Sequence, residues 1–456
     1  MSGPRRQQGV HDTLLRNATI VPGPASATPF VGDLAIDDGR IALVRPASDA
    51  AARLAAVEVI DATDHIVLPG FVNAHLHAVP SLMRTAFAAI RIDDHGASPL
   101  VAALYEQLLG DPEAVELGAR LCLAEALMAG ATSVGVMEYL DPAVAARVAA
   151  ELGLRGAMSV YPDPEDPSWV ETLEFVAELG FTPMLLGPNE DDPAFTEPFL
   201  HELRRLAEHH GVRVHMHVSE TARRHAAVVE RYGVSPVEQL ERLGLLPHLY
   251  AVHCTVLSDR DVELLAAHDV PVVITPVSES LLSDGVTPLA QLREAGVTVA
   301  LATDGGPWAG GEDMLGEMKA TALLNRAHDR PAALTGADAI EMATVNGARV
   351  LGEGARRGTL EVGKDADLVV LDARRAHLQP LLHDGVLANV RDVVAFAAGA
   401  ADVARVIVGG RTVHLRGEAE ALSPSQVAAI RAAGERVWRR AGGPQATAWL
   451  PLARVS

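Results

Sequence analysis

Eight short runs rich in Val, Leu, Ile and Ala recur through the middle of the chain, at residues 66–75, 131–137, 156–161, 183–187, 212–218, 250–254, 271–275 and 297–303. Continuous apolar runs of this kind read as strands buried on both faces. Helical stretches with defined ends separate them. Asp111-Pro112 places an N-cap before a proline in the first turn, and Gly130 follows the last turn. Ser235-Pro236-Val237-Glu238 has capping-box spacing, and Thr335-Gly336-Ala337-Asp338 opens a helix after the eighth run. Eight strand–helix units over about 290 residues predict an α/β fold, a closed (β/α)8 TIM-like barrel. An open doubly wound sheet is the competing architecture, but no Gly-x-Gly-x-x-Gly follows the first run.

The two ends of the chain read differently. Residues 33–44 form a hairpin pattern with Asp38-Gly39 near its turn, and Gly409-Gly410 divides Val406-Ile407-Val408 from Thr412-Val413. These patterns predict a small β-sandwich module built from both ends, residues 1–65 plus 358–421, around a barrel of residues 66–357. The tail, 422–456, carries an amphipathic helix from Ser423 to Arg440 that is expected to pack on the rest.

The ends of the predicted strands carry the chemistry. His75 and His77 close the first run, and residues two apart in a strand face the same side. His217 ends the fifth run, His253 the sixth, and Asp304 follows the eighth. In a barrel of this kind the C-terminal strand ends converge on one mouth. Three imidazoles and a carboxylate suit Zn²⁺, with Fe²⁺ as the second choice, and leave a position for water. A bound divalent ion lowers the pKa of that water to about 7. Glu220, three residues past His217, reaches the same mouth and can shuttle protons. His253 is either a ligand or an acid/base group, because strand-end position alone does not separate the two. His215 shares a face with His217; the neighbouring Glu220 favours His217 as the ligand and leaves His215 as an interior histidine.

Composition narrows the setting. A net charge of −21 repels a phosphate backbone, so no nucleic-acid partner is expected. No run of 18 apolar residues predicts a membrane span. Residues Met1–Gln8 are polar with no apolar stretch after them, unlike a secretory signal, and two cysteines, Cys122 and Cys254, fit a reducing cytoplasm.

The segments Pro69–His77 (Pro-Gly-Phe-Val-Asn-Ala-His-Leu-His), His215–Thr221 (His-Met-His-Val-Ser-Glu-Thr), Val252-His253-Cys254 and Ala302–Gly306 (Ala-Thr-Asp-Gly-Gly) resemble the amidohydrolase superfamily. Within it they resemble the branch of cytosine, guanine and adenosylhomocysteine deaminases and s-triazine hydrolases. The resemblance spans nearly the whole chain. It implies one metal held by His75, His77, His217 and Asp304, a ring nitrogen protonated by Glu220, and a water oriented and deprotonated by His253 and Asp304. Binuclear members bridge two metals with a lysine from strand four. The only lysines here, Lys319 and Lys364, both follow Asp304, which argues against a binuclear centre.

Two signatures depart from that branch. Thr275-Pro276-Val277-Ser278-Glu279 has Glu279 where Asn is usual, and Gly187-Pro188-Asn189 has Asn189 where a substrate-contacting His is usual, which speaks against a nucleoside. Asn189, Glu279, Trp308 (as a platform for a flat ring) and Arg84 are the candidate substrate contacts. The expected activity is metal-dependent hydrolytic deamination of an amino-substituted purine, pterin, pyrimidine or triazine by a homo-oligomer, a dimer first. The alternatives are hydrolysis of another C–N or a C–Cl bond at the same centre, and a catalytically silent barrel that binds small molecules.

Overall fold

The computed structural model describes residues 10–47, 54–87, 90–328, 334–383 and 387–442. The N-terminal octapeptide and the last part of the tail, 443–456, therefore lie outside the described residues. In chain order the first strands are β1 (Val10–Ile20), β2 (Phe30–Asp37), β3 (Arg40–Pro46), β4 (Ala55–Asp61) and β5 (His65–Pro69). The barrel strands follow: β6 (Phe71–Leu76), β7 (Ala131–Met137), β8 (Arg155–Val160), β9 (Thr182–Leu186), β10 (Val214–Val218), β11 (Leu249–His253), β12 (Val272–Ile274) and β13 (Val299–Leu301). The last three are β14 (Leu368–Asp372), β15 (Val403–Val408) and β16 (Arg411–Leu415).

Strands β6 to β13 lie side by side in sequence order, all parallel. The ring closes between β6 and the residues just past β13. Asp304 N–H donates to His75 O at 3.0 Å, and His77 N–H donates to Asp304 O at 2.7 Å. The Asn73 side chain clamps the same seam, donating to Thr303 Oγ1 at 2.6 Å and accepting from Thr303 N–H at 3.1 Å. Small and branched side chains fill the interior, among them Val72, Ala74, Ala157, Met184, Val273 and Ala300, as a packed barrel requires.

The remaining strands make one mixed sheet, ordered β16-β15-β14-β5-β1-β2-β3 with β4 beside β1. Both predicted hairpins form in this sheet. Asp38 (φ 49°) and Gly39 (φ 74°), and likewise Gly409 (φ 54°) and Gly410 (φ 75°), supply the two left-handed residues that a tight hairpin turn needs. Buried Leu15, Ile20, Leu34, Ile36, Ile41, Val67, Leu368 and Ile407 give the sheet its own core.

One expectation needs correction. The apolar run 66–75 is two strands rather than one. β5 pairs with β14 and β1 in the terminal sheet, and β6 opens the barrel, so the chain changes sheet at Gly70. Gly70 N–H donates to Asp367 O at 2.9 Å, while the next amide, Phe71 N–H, donates to Gly130 O at 3.0 Å. Periodicity cannot show this change, because both strands are buried on both faces. Glycine is needed at the crossover: a Cβ there would stand 2.1 Å from Thr132 Oγ1.

The expected helix ends are present. Asp111 Oδ1 accepts from Ala114 N–H, and Ser235 with Glu238 and Thr335 with Asp338 form reciprocal capping boxes. The tail helix, Pro424–Arg440, packs on helix Pro112–Met128 and the turn Val79–Met83. Trp438 Nε1 donates to Leu82 O at 3.1 Å, and Arg436 pairs with Glu113 at 2.7 Å. Among the described residues no helix is long and apolar enough to cross a membrane.

Gly70→Ala is expected to lower stability by about 1–3 kcal/mol, because the added Cβ would also stand 2.7 Å from Cβ of the buried Thr132, an atom that no rotamer change moves. Thermal unfolding checks this; an unchanged midpoint would show that the crossover does not need the close approach.

Candidate active site

The C-terminal ends of the barrel strands meet at the expected mouth. His75, His77 and Asp304 offer ligand atoms within 4.8 Å of one another, and so do His75, His217 and His253. All five are buried. His75 Nε2 lies 3.3 Å from Asp304 Oδ1 and 3.4 Å from His217 Nε2, and His77 Nε2 lies 3.5 Å from the same Asp304 oxygen. The seam of the barrel explains part of this arrangement. His75 and His77 alternate with the core residue Leu76 and share one face, and the backbone bonds across the seam set Asp304 beside them.

The outer ring nitrogens decide what the inner ones can do. His77 Nδ1 is 2.6 Å from Met137 O, which can only accept, so Nδ1 carries the proton. His217 Nδ1 is 2.8 Å from Asn189 Oδ1, with the same consequence. His75 Nδ1 is 2.9 Å from His215 Nε2, and His215 Nδ1 is 2.8 Å from Ser159 Oγ. A free lone pair on His75 Nε2 requires its proton on Nδ1, donated to His215 Nε2, with His215 Nδ1 in turn donating to Ser159 Oγ, and the distances accommodate that chain. In that tautomer three Nε2 lone pairs converge with a carboxylate, a set that repels itself unless a cation lies between. These donors suit one divalent ion, and the outer acceptors are the partners that usually orient metal-binding histidines.

Electrostatics agree. Burial, then the neighbouring imidazoles, hold His75, His215 and His217 well below the usual histidine range. Burial lowers His77 as well, outweighing Asp304. All four are thus kept neutral, as ligands and their support must be. His253 is different. Burial works against its cation, but Glu220, Glu279 and Asp304 outweigh burial and push it up to about 10. Its Nε2 faces Glu220 Oε1 at 3.8 Å. Its Nδ1 meets Thr275 Oγ1 at 3.1 Å and Glu279 Oε1 at 3.5 Å. That surrounding is suited to holding a proton.

Glu220 follows β10 through Ser219, a non-glycine residue at φ 49°. Its carboxylate is gripped by the buried Arg224, which also pairs with Asp191 at 3.1 Å. Arg224 was missed from sequence. Its signal was the four-residue spacing from Glu220 at the start of a helix, Ala222–Tyr232. Glu138 was missed too. It accepts from the amides of Ala78, Val79 and Leu140, pinning the chain just past His77, and burial pushes it up to about 7.

A cavity of about 480 Å³ opens over this cluster, lined in part by His77, His217, Glu220, His253, Asp304 and Trp308. The four candidate substrate contacts divide. Trp308 lines the cavity, its ring 5.0 Å from that of His77 at 62°, and its Nε1 is buried without a partner. Asn189 lines it as well, with its oxygen committed to His217. Glu279 stands behind His253 instead, accepting from Thr275 N–H at 3.0 Å. Arg84 is turned away, paired with Glu125 and Gly310 O. Neither is on the cavity wall among the described residues, so neither touches a substrate directly in this geometry.

A family model described as the amidohydrolase family matches residues 66–413. The chain belongs to that family. This amidohydrolase is 34% identical over 432 residues to a protein of Moorella thermoacetica named 5-methylthioadenosine/S-adenosylhomocysteine deaminase, covering 91% of this chain and 96% of that one. The zinc-bound crystal structure of an adenosine deaminase from Xanthomonas campestris matches it with a TM-score of 0.84 at 30% identity, over 94% and 98% of the two chains. The zinc complex of atrazine chlorohydrolase from Arthrobacter aurescens matches with a TM-score of 0.78 at 20% identity, over 92% and 100%, a likeness of fold.

Asn189→Leu should weaken metal binding by roughly 10–100-fold, since His217 loses the acceptor that fixes its tautomer. Competition against a chelator measures this; unchanged affinity would remove Asn189 from the support of the site.

Proposed function

We propose that this amidohydrolase is a hydrolytic deaminase of an amino-substituted N-heterocycle, holding one divalent cation, zinc first and iron second, on His75, His77, His217 and Asp304. The observation that carries the reading is the convergence of three Nε2 atoms and the Asp304 carboxylate, with Glu220 and its Arg224 clamp beside them. A cation there supplies, when bound, a water acidified to about pKa 7. The residues around it do the rest. Glu220 delivers a proton to the ring nitrogen next to the amino-bearing carbon, which makes that carbon electrophilic. His253, already holding a proton, orients the water, and Asp304 takes the water's proton as its oxygen adds to the carbon. That proton passes from Asp304 to the amino group, the C–N bond breaks to release ammonia, and the remaining hydroxyl proton returns to Glu220 as the carbonyl forms. Arg224 keeps the Glu220 carboxyl in place through this cycle.

Size points to the substrate. The cavity of about 480 Å³ falls in the range of roughly 300–1,000 Å³ usual for small-molecule sites, which leaves room beyond a bare bicyclic ring. A heterocycle with a substituent of nucleoside size fits, in keeping with the adenosine-type names of the relatives. Asn189 in place of the family histidine does not oppose this, because its oxygen serves His217.

Ammonia release from a panel of aminopurine nucleosides, pterins, pyrimidines and triazines tests the reading on metal-loaded enzyme. Glu220→Gln should keep the metal and lose about 10²–10⁴-fold in turnover, whereas His217→Ala should lose the metal. Full activity in the Gln variant would exclude Glu220 from the proton transfers, and a product formed without ammonia would move the reading to another bond.

A further inference from the structure

The wall of the cavity away from the metal is apolar. Ile92, Val101, Ala102, Tyr105 and Leu140 line it, with Pro80 nearer the mouth of the barrel. Two short elements carry most of these residues, the turn Ile92–Ala97 and helix Pro99–Leu109. The turn is held over the site: Thr221 Oγ1 donates to Asp93 Oδ1 at 2.8 Å, and Arg223 donates to Asp93 O at 2.6 Å.

The cation on the same wall is already matched within the protein, and a further acid, the exposed Asp192, stands there with its Oδ1 accepting from Ala194 N–H at 2.7 Å. Arg224 is the guanidinium that lines the cavity among the described residues, and it is shared by Glu220 and Asp191. Glu138 is satisfied by three backbone amides. His95, the wall histidine away from the metal, is lowered chiefly by burial and engages Ile90 O through Nε2 at 3.2 Å. Two buried donors on the wall make no hydrogen bond, the neutral Nε1–H of Trp308 and Nε of Arg224, and the latter is held in an ion pair with Asp191 at 3.1 Å. A substituent that enters here meets mostly aliphatic and aromatic carbon, with neutral polar partners in Trp308 and the Tyr105 and Tyr139 hydroxyls, and the one further charge, Asp192, repels a carboxylate. A carboxylate would have to shed water without gaining a cation, which is a strongly unfavourable exchange.

We infer that the substrate of this site is a heterocyclic amine bearing an uncharged, largely apolar substituent, and that an anionic or zwitterionic tail is excluded. The inference rests on the deaminase reading and sharpens it. Two adenine nucleosides separate the cases, because they share the reacting ring and differ in the 5′ tail. 5′-Methylthioadenosine carries a neutral thioether, and S-adenosylhomocysteine carries an amino acid.

The experiment measures ammonia release by the metal-loaded full chain from each compound. The kcat/KM for methylthioadenosine should exceed that for S-adenosylhomocysteine by ~100-fold or more. Ala102→Arg, at an exposed helical position on this wall, should cut that ratio at least tenfold by supplying the absent cation. A wild-type ratio below ten would overturn the inference, as would a ratio unmoved in a folded Ala102→Arg variant. Titration calorimetry with the same two compounds keeps the two claims apart. If neither releases ammonia but methylthioadenosine binds ~100-fold tighter, the wall is as inferred and deamination of adenine nucleosides falls. If neither is turned over and the two bind alike, or neither binds, the inference falls as well.

Discussion

The site depends on how the barrel closes. Seven of the eight strand contacts run between neighbours in sequence, but the eighth joins Leu76 to Asp304, residues more than 200 positions apart. Backbone bonds from Asp304 to His75 and from His77 to Asp304 make that contact. The atoms that finish the ring are therefore flanked by the side chains that face the cation. Without closure, His75 and His77 would still share a face, but the carboxylate would have no reason to stand beside them. Fold and site are one constraint here: the seam that completes the sheet completes the ligand set.

Local strain marks the same places. Ser219, His253, Cys254 and Asp304 all have positive φ without being glycine, at 49°, 71°, 54° and 70°. Each sits at or just past the end of a strand, where the chain turns. Such conformations cost of order 1–3 kcal/mol each and persist where the surroundings over-determine them. The surroundings do so here. Thr255 Oγ1 donates to Glu220 O at 2.7 Å, and Thr287 Oγ1 donates to His253 O at 2.7 Å. Desolvation then sorts the histidines. It holds His75, His77 and His217 neutral, while the three acids around His253 overcome it and keep that imidazole protonated. The same burial thus gives ligands and a proton carrier, and the difference comes from which groups stand next to each ring.

Much of this was legible in the sequence. Apolar runs with period-free burial located all eight barrel strands, and the histidines and aspartate at their ends come together as expected, because strand direction and alternation are local properties. What escaped was set by contacts between distant segments. The change of sheet at Gly70 leaves no trace in hydrophobicity, since Leu68 and Val72 are equally buried. Glu279 and Arg84 fall near the site in sequence order but turn toward His253 and Glu125, directions that only the folded loops decide. Asn189, read as a substrate contact, holds the Nδ1 proton of His217. Arg224 could have been found from its spacing to Glu220, but nothing in the sequence told a buried clamp from a solvated helix pair.

The central claim is that one cation is held by the Nε2 atoms of His75, His77 and His217 together with Asp304. An anomalous-difference map from crystals of the zinc-loaded protein tests it most directly. The account predicts a single strong peak per chain, within about 2.0–2.2 Å of those three nitrogens and of an Asp304 oxygen. A peak reached through a flipped Nδ1, two peaks in the mouth, or a metal bound elsewhere with these four residues left apart would contradict it.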